Sequence, residues 1–105
     1  MDIINAMKLA SHGVKMTRLY WLDLVKKYPD DPNMPWRSST DITPVYFVYN
    51  EEYKVLDLYN RYRKLIKRYA DNLNQYGFIY EELMADDYIV YRDELLEEAL
   101  RDGKI

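Results

Sequence analysis

The chain reads as an α+β domain: a small antiparallel sheet with an N-terminal helix, an inserted long helix and a C-terminal helix. Three observations predict this. "PVYFVYN", residues 44–50, is β-branched and aromatic, opened by Pro44 and closed by Asn50, and reads as a strand. Residues 52–73 carry an apolar heptad spacing and read as a helix. Strand-like and helix-like stretches follow one another without a regular βαβ alternation, which points away from a parallel sheet. The 105 residues fit one domain, residues 1–105, with one modest core.

The elements follow in order. "DIINAMKLASHG" reads as the first helix, capped by Asp2, with Ile3, Met7 and Ala10 at i, i+4 and i+7, and ended by Gly13 at a position that favours positive φ. Val14, Met16 and Leu19 hint at a strand, and "LDLVKKY" at a short helical turn. The loop that follows carries Pro29, Pro32 and Pro35 at threefold spacing. That suits a polyproline segment, either a ligand for a proline-reading groove or, the reading preferred here, a stiff connector. In the long helix Val55, Tyr59, Tyr62, Ile66, Tyr69 and Leu73 step by four and three, widened by Leu58 and Leu65. Glu51 and Glu52 sit at its positive end. At about 33 Å it should project or lie along a second copy, with Tyr59, Tyr62, Ile66 and Tyr69 as an oligomer interface. "YGFIY" reads as a short strand bent at Gly77, "YEELMADD" as a short helix and "DYIVY" as a strand. "RDELLEEALRDGKI" reads as a terminal helix with Leu95, Leu96, Ala99 and Leu100 on one side, stopped by Gly103.

Composition narrows the function. Apolar residues make up 49%, too many for a disordered chain, and the net charge of −3 disfavours a globally basic nucleic-acid binder. With no cysteine there is no disulfide, thiolate metal site or cysteine nucleophile, which fits a reducing compartment. The N-terminal stretch does not read as a signal peptide, and no apolar run approaches the ~20 residues of a membrane span. The expectation is a cytoplasmic protein with no membrane contact. Twelve tyrosines against two phenylalanines suit half-wet contacts with ligand or partner, or the amphipathic edge of a small core.

Catalysis has little footing. Glu81 and Glu82, like Asp86 and Asp87, are sequence neighbours whose side chains diverge on a helix. Glu82 and Asp86 could share a face and hold a hard cation, but no histidine or calcium-loop pattern accompanies them, so no metal is expected. His12, the one histidine, stands beside Ser11 at a helix end, where the dipole accounts for it better than a triad does. Only three glycines are present and no phosphate loop. No catalytic residue and no cofactor are expected. In "RYRKLIKR", Arg61, Lys64 and Arg68 would share one side of the long helix, either as a solvated face or as a surface for phosphate or an acidic partner. Trp21 lies within four residues of an arginine and a tyrosine, and Trp36 precedes Arg37. Plates beside a guanidinium suit a nucleotide, and core anchoring explains either tryptophan equally well.

Two blocks carry a resemblance. "MDIINAMKLASHGVKMTRLYW" matches a helix-then-strand opening through Ala6, Leu9, Gly13, Val14, Met16, Thr17, Arg18 and Trp21. "YGFIYEELMADDYIVY" matches a closing segment through Tyr76, Glu82, Leu83, Met84, Ala85, Asp87, Tyr88 and Val90. Together they resemble the Thoeris anti-defence type II family, small phage proteins also known as a domain of unknown function. The departures are Tyr76 and Tyr88 where the family has tryptophan, a missing proline after the first of these, and Glu82 where it has aspartate. Residues 51–74, the inserted helix, and 92–105, a C-terminal helical extension, would be additions.

The resemblance implies a sponge that binds a nucleotide immune signal, a cyclic ADP-ribose isomer or a cyclic oligonucleotide, without cleaving it. It also implies homo-oligomers, dimer or tetramer, with pockets between subunits, inside an infected bacterium. On that reading Trp21 and Tyr76 stack on bases, Arg18 and Lys15 meet phosphate, and Glu82 and Asp87 accept ribose or base hydrogen bonds. Nucleic acid is not an expected partner. The alternative is a protein–protein inhibitor of a host defence effector, anti-CRISPR-like, acting through the basic tyrosine helix or the acidic tail 92–102. A phage structural or housekeeping protein, assembled through the seam, is a third reading. Trp21→Ala should abolish capture in the first case, and charge reversal at Arg61, Lys64 and Arg68 should abolish inhibition in the second.

Overall fold

The computed structural model describes residues 1–28, 41–69 and 79–102. The described chain runs α1 (Ile3–Ala10), β1 (Met16–Arg18), α2 (Leu19–Lys27), β2 (Tyr46–Asn50), β3 (Val55–Tyr59), β4 (Leu65–Tyr69), α3 (Tyr80–Met84), β5 (Tyr88–Val90) and α4 (Asp93–Asp102). The strands form one antiparallel sheet in the order β4-β3-β2-β1-β5, so the α+β class holds.

α1 starts where Asp2 Oδ1 accepts the Asn5 N–H at 3.0 Å and ends before Gly13, at φ 87°. Its buried stripe of Ile3, Ala6 and Ala10 covers one sheet face, against Met16, Phe47, Leu56, Leu58 and Tyr88. The opposite face carries a second core, where Val45, Tyr46 and Tyr91 meet Leu22 and Val25 of α2 and Ala99 of α4. Helix α2 serves both cores, since Trp21 belongs to the first and Leu22 and Val25 to the second.

Over the described part of the expected long helix, residues 51–69, no helix forms. Residues 55–59 and 65–69 are instead the two strands of a hairpin, paired from Leu56↔Tyr69 to Tyr59↔Leu65 with a register shift at Leu58/Tyr59. The turn explains why. Asn60 Oδ1 accepts the N–H groups of Tyr62 at 2.9 Å and Lys64 at 3.0 Å, and the Asn60 N–H donates to the Lys64 carbonyl at 3.0 Å. An asparagine that satisfies turn amides this way breaks a helix and closes a hairpin. The heptad count was accidental, because "VLDLY" also alternates. Leu56 and Leu58 join the first core, while Asp57 between them is buried on the other face and accepts from Asn50 Nδ2 at 2.8 Å and Arg68 Nε at 3.1 Å.

The expected oligomer seam disappears with the helix. Tyr59 packs on the second core and Ile66 on the first, Tyr62 lies in the turn, and Tyr69 is in β4. The strand expected over 76–80 is not seen at its end, where Ile79 caps α3 and Tyr80 begins it; residues 76–78 lie outside the described residues. Also outside them are the proline-spaced loop, Trp36, Leu73, Gly77 and Gly103. All of "LDLVKKY" but its last residue proves to be part of a nine-residue helix, with Tyr28 as the C-cap. The tail forms α4, which closes the second core and so is more than an appendage. No helix among the described residues is long and apolar enough to cross a membrane.

Candidate functional site

The site grows from the junction of β1 and α2. Arg18 ends the strand and is the N-cap of α2, and its side chain caps nothing. The opening turn of the helix is satisfied instead by Asp87, which lies 67 positions beyond Tyr20. The Asp87 carbonyl accepts the Leu19 N–H at 3.2 Å, Asp87 Oδ2 accepts the Tyr20 N–H at 3.0 Å, and Asp87 Oδ1 accepts Arg18 Nε at 2.8 Å. The two meet because β1 and β5 pair in register, with Arg18 opposite Tyr88. Burial by itself would raise the Asp87 carboxyl. The hydrogen bonds from Arg18 and Tyr20 and the charge of Arg18 outweigh it and hold the group below its ordinary value.

Three rings surround the Arg18 guanidinium. Its carbon lies 5.3 Å from the ring centre of Tyr20, 5.9 Å from that of Trp21 and 5.6 Å from that of Tyr88. Among the described residues Arg18 donates a hydrogen bond through Nε alone, which leaves its terminal nitrogens for a ligand. Tyr88 is fully buried, and its hydroxyl donates to the Glu82 carbonyl at 2.7 Å. Burial pushes this phenol well above its ordinary value, more than the nearby Arg18 draws it down.

Arg18 lines a cleft of about 620 Å³ on the α1 face of the sheet. Tyr20, Trp21 and Leu24 line it from α2, Leu58, Ile66 and Lys67 from the hairpin. Ile42 and Pro44 close one side, and Ile79, Glu81 and Glu82 of the α3 end close another. Leu58 and Lys67 are register partners, and the shift beside them brings Ile66 to the same cleft. The chamber is therefore mostly apolar, with two cations and two carboxylates on its walls. Such a space suits a small molecule with a flat apolar part and an anionic part.

The expected site residues divide. Arg18, Trp21 and Glu82 line the cleft and Asp87 holds Arg18. Trp21 does not serve as a stacking plate: it is 3% exposed, with edge-to-face contacts to Phe47 at 6.0 Å and Tyr88 at 6.4 Å. Glu82 is committed to structure, since its Oε1 accepts the Ile79 N–H at 3.0 Å at the start of α3. Asp87 likewise serves α2 and Arg18 rather than a ligand. Lys15 is misplaced. Strand alternation puts it on the opposite sheet face from Met16, with Nζ 4.9 Å from the Tyr46 ring centre. Tyr76 lies outside the described residues.

The basic face dissolves too. Arg61 Nε meets Asp41 Oδ2 at 2.8 Å with side chains only 5% and 8% exposed, Arg68 is bound to Asp57, and Lys64 stands exposed in the turn. His12 Nδ1 lies 2.8 Å from the Lys8 carbonyl, at the end of α1. Among the described residues no group of three His, Cys, Asp or Glu could hold a metal ion.

No family model, curated protein or solved structure matches this chain.

Sequence reasoning missed Tyr20, Glu81, Lys67 and the apolar lining. Tyr20 was within sight, beside Arg18 in "TRLYW". Lys67 and Leu58 become visible only once residues 55–69 are read as a hairpin.

Proposed function

We propose that this protein binds a small nucleotide-class ligand in the Arg18 cleft and holds it without cleaving it. One observation carries the reading. A guanidinium is fixed by Asp87, flanked by rings, and set in the wall of a largely apolar cleft of about 620 Å³, within the usual range for small-molecule sites. A positioned guanidinium matches phosphate geometry, and an apolar floor suits a base. Lys67 adds a second cation. The two sequence blocks that resemble the Thoeris anti-defence family meet here, through β1 and β5, and the resemblance makes an immune-signal sponge the specific form of the proposal. Sequestration favours a prebuilt site, because less ordering remains to oppose binding. The family resemblance also implies a homo-oligomer, for which the exposed Ile42 and Ile79 at the cleft would supply apolar surface.

Thermal unfolding against cyclic ADP-ribose isomers, cyclic di- and trinucleotides, ADP-ribose and NAD tests this. A ligand at 100 times its dissociation constant adds ~2.7 kcal/mol and raises the midpoint by several degrees. Recovery of the ligand intact after denaturation supports a sponge. A flat response across the panel, or a cleaved ligand, counts against it.

A further inference from the structure

Two aromatic residues follow Arg18 closely, and they play opposite parts. Trp21 is 3% exposed and spends its ring on Phe47, Tyr88 and Arg18. Tyr20 is 54% exposed and lines the same cleft. The Arg18 guanidinium lies over its ring at 5.3 Å. A ring with a cation near one face and solvent around much of the rest can still accept a flat partner. Its backbone is fixed, because the Tyr20 N–H donates to Asp87 Oδ2 at 3.0 Å. The β1–α2 junction thus sets an exposed ring and an anchored cation two residues apart on one cleft wall.

We propose that Tyr20 is the stacking plate of this cleft and that it determines which ligands are held: those whose aromatic base lies on the Tyr20 ring while a phosphate of the same molecule meets the terminal nitrogens of Arg18. The inference rests on the nucleotide reading of the cleft and deepens it. It selects nucleotides over sugar phosphates, since a sugar phosphate offers the anion without the flat ring.

The test is calorimetric titration of the full chain with ADP-ribose and with ribose 5-phosphate. Tyr20→Ala removes a half-exposed ring and its contact with the Arg18 guanidinium but keeps the backbone bond to Asp87, and its thermal midpoint confirms folding. It should weaken ADP-ribose binding about 10- to 100-fold, the range for loss of one base–aromatic stack, and leave ribose 5-phosphate binding within about twofold. Tyr20→Phe should restore most of the affinity for ADP-ribose. Equal affinity of Tyr20→Ala and wild type for ADP-ribose overturns the Tyr20 assignment and leaves the cleft reading standing. An equal loss for both probes also overturns it, because the ring would then be acting through Arg18. Failure of the wild-type protein to bind ADP-ribose overturns this inference, and overturns the cleft reading with it only where the whole nucleotide panel is flat as well; full binding by Arg18→Ala overturns both.

Discussion

A single carboxylate at position 87 ties together the start of α2, the arginine at the end of β1 and the approach to β5. Asp87→Ala should cost about 2 kcal/mol in urea unfolding, combining a lost helix cap with a lost charge-assisted bond. Its pH dependence follows from the sign of the shift. The carboxyl is held below its ordinary value in the fold. Its contribution is therefore complete above the unfolded value of about 3.9 and is lost as pH falls through the lower folded value. Wild-type stability should drop below about pH 4, and the drop should be smaller in Asp87→Ala. Tyr88 works in the opposite direction. Its phenol is raised by burial, so its contribution is present below the unfolded value of about 10 and is lost as pH rises beyond it. Tyr88→Phe should cost about 1 kcal/mol near neutrality, through the lost bond to the Glu82 carbonyl. It should also lose less stability than wild type in alkaline unfolding.

At the scale of elements, the hairpin β3–β4 is the decisive feature. Two residues near its ends, Lys54 at φ 55° and Arg63 at φ 60°, adopt a left-handed conformation that favours glycine. Lys54→Gly should raise stability by about 0.5 kcal/mol, the balance of relieved strain against glycine's greater unfolded entropy. The hairpin also separates charges that a helix would have aligned. Arg61→Glu places a carboxylate against the buried Asp41 and should cost about 3–5 kcal/mol, whereas Lys64→Glu should stay within about 0.5 kcal/mol of wild type. Chemical denaturation of the two variants measures the contrast. If both were neutral, Arg61 could not be the buried partner of Asp41.

For the whole molecule, two cores share one thin sheet, and α2 belongs to both. Loss of α4 would expose Leu22, Val25 and Val45, so a chain ending at Arg92 should lose its cooperative thermal transition. Dispersal of the cations matters at this scale as well. Arg61, Arg63 and Arg68 each meet a carboxylate, on Asp41, Asp93 and Asp57. The single basic helical face named for the inhibitor reading therefore does not form, while the acidic tail named beside it lies on α4.

Much of the fold was legible in the sequence where a local signal acts alone. Asp2 and Gly13 bound α1, "PVYFVYN" marks β2, and "DELLEEAL" presents its apolar side to the second core. Arg18 stands beside Trp21 in the sequence, whereas Asp87 is named as a site residue only by the resemblance. Their meeting was not legible, since 69 positions separate them and only strand pairing closes the gap. The central error has the same root. Val55 to Tyr69 satisfies a heptad and an alternation at once, and a short apolar run cannot arbitrate between them. Tertiary structure decided for strands, because β2 offers a paired edge and Leu56 and Leu58 a core to fill. It decided likewise that Trp21 is buried, Tyr20 open and Lys15 on the far face. Residue type and local period can be read along a chain, but which face is covered depends on what the rest of the chain brings against it.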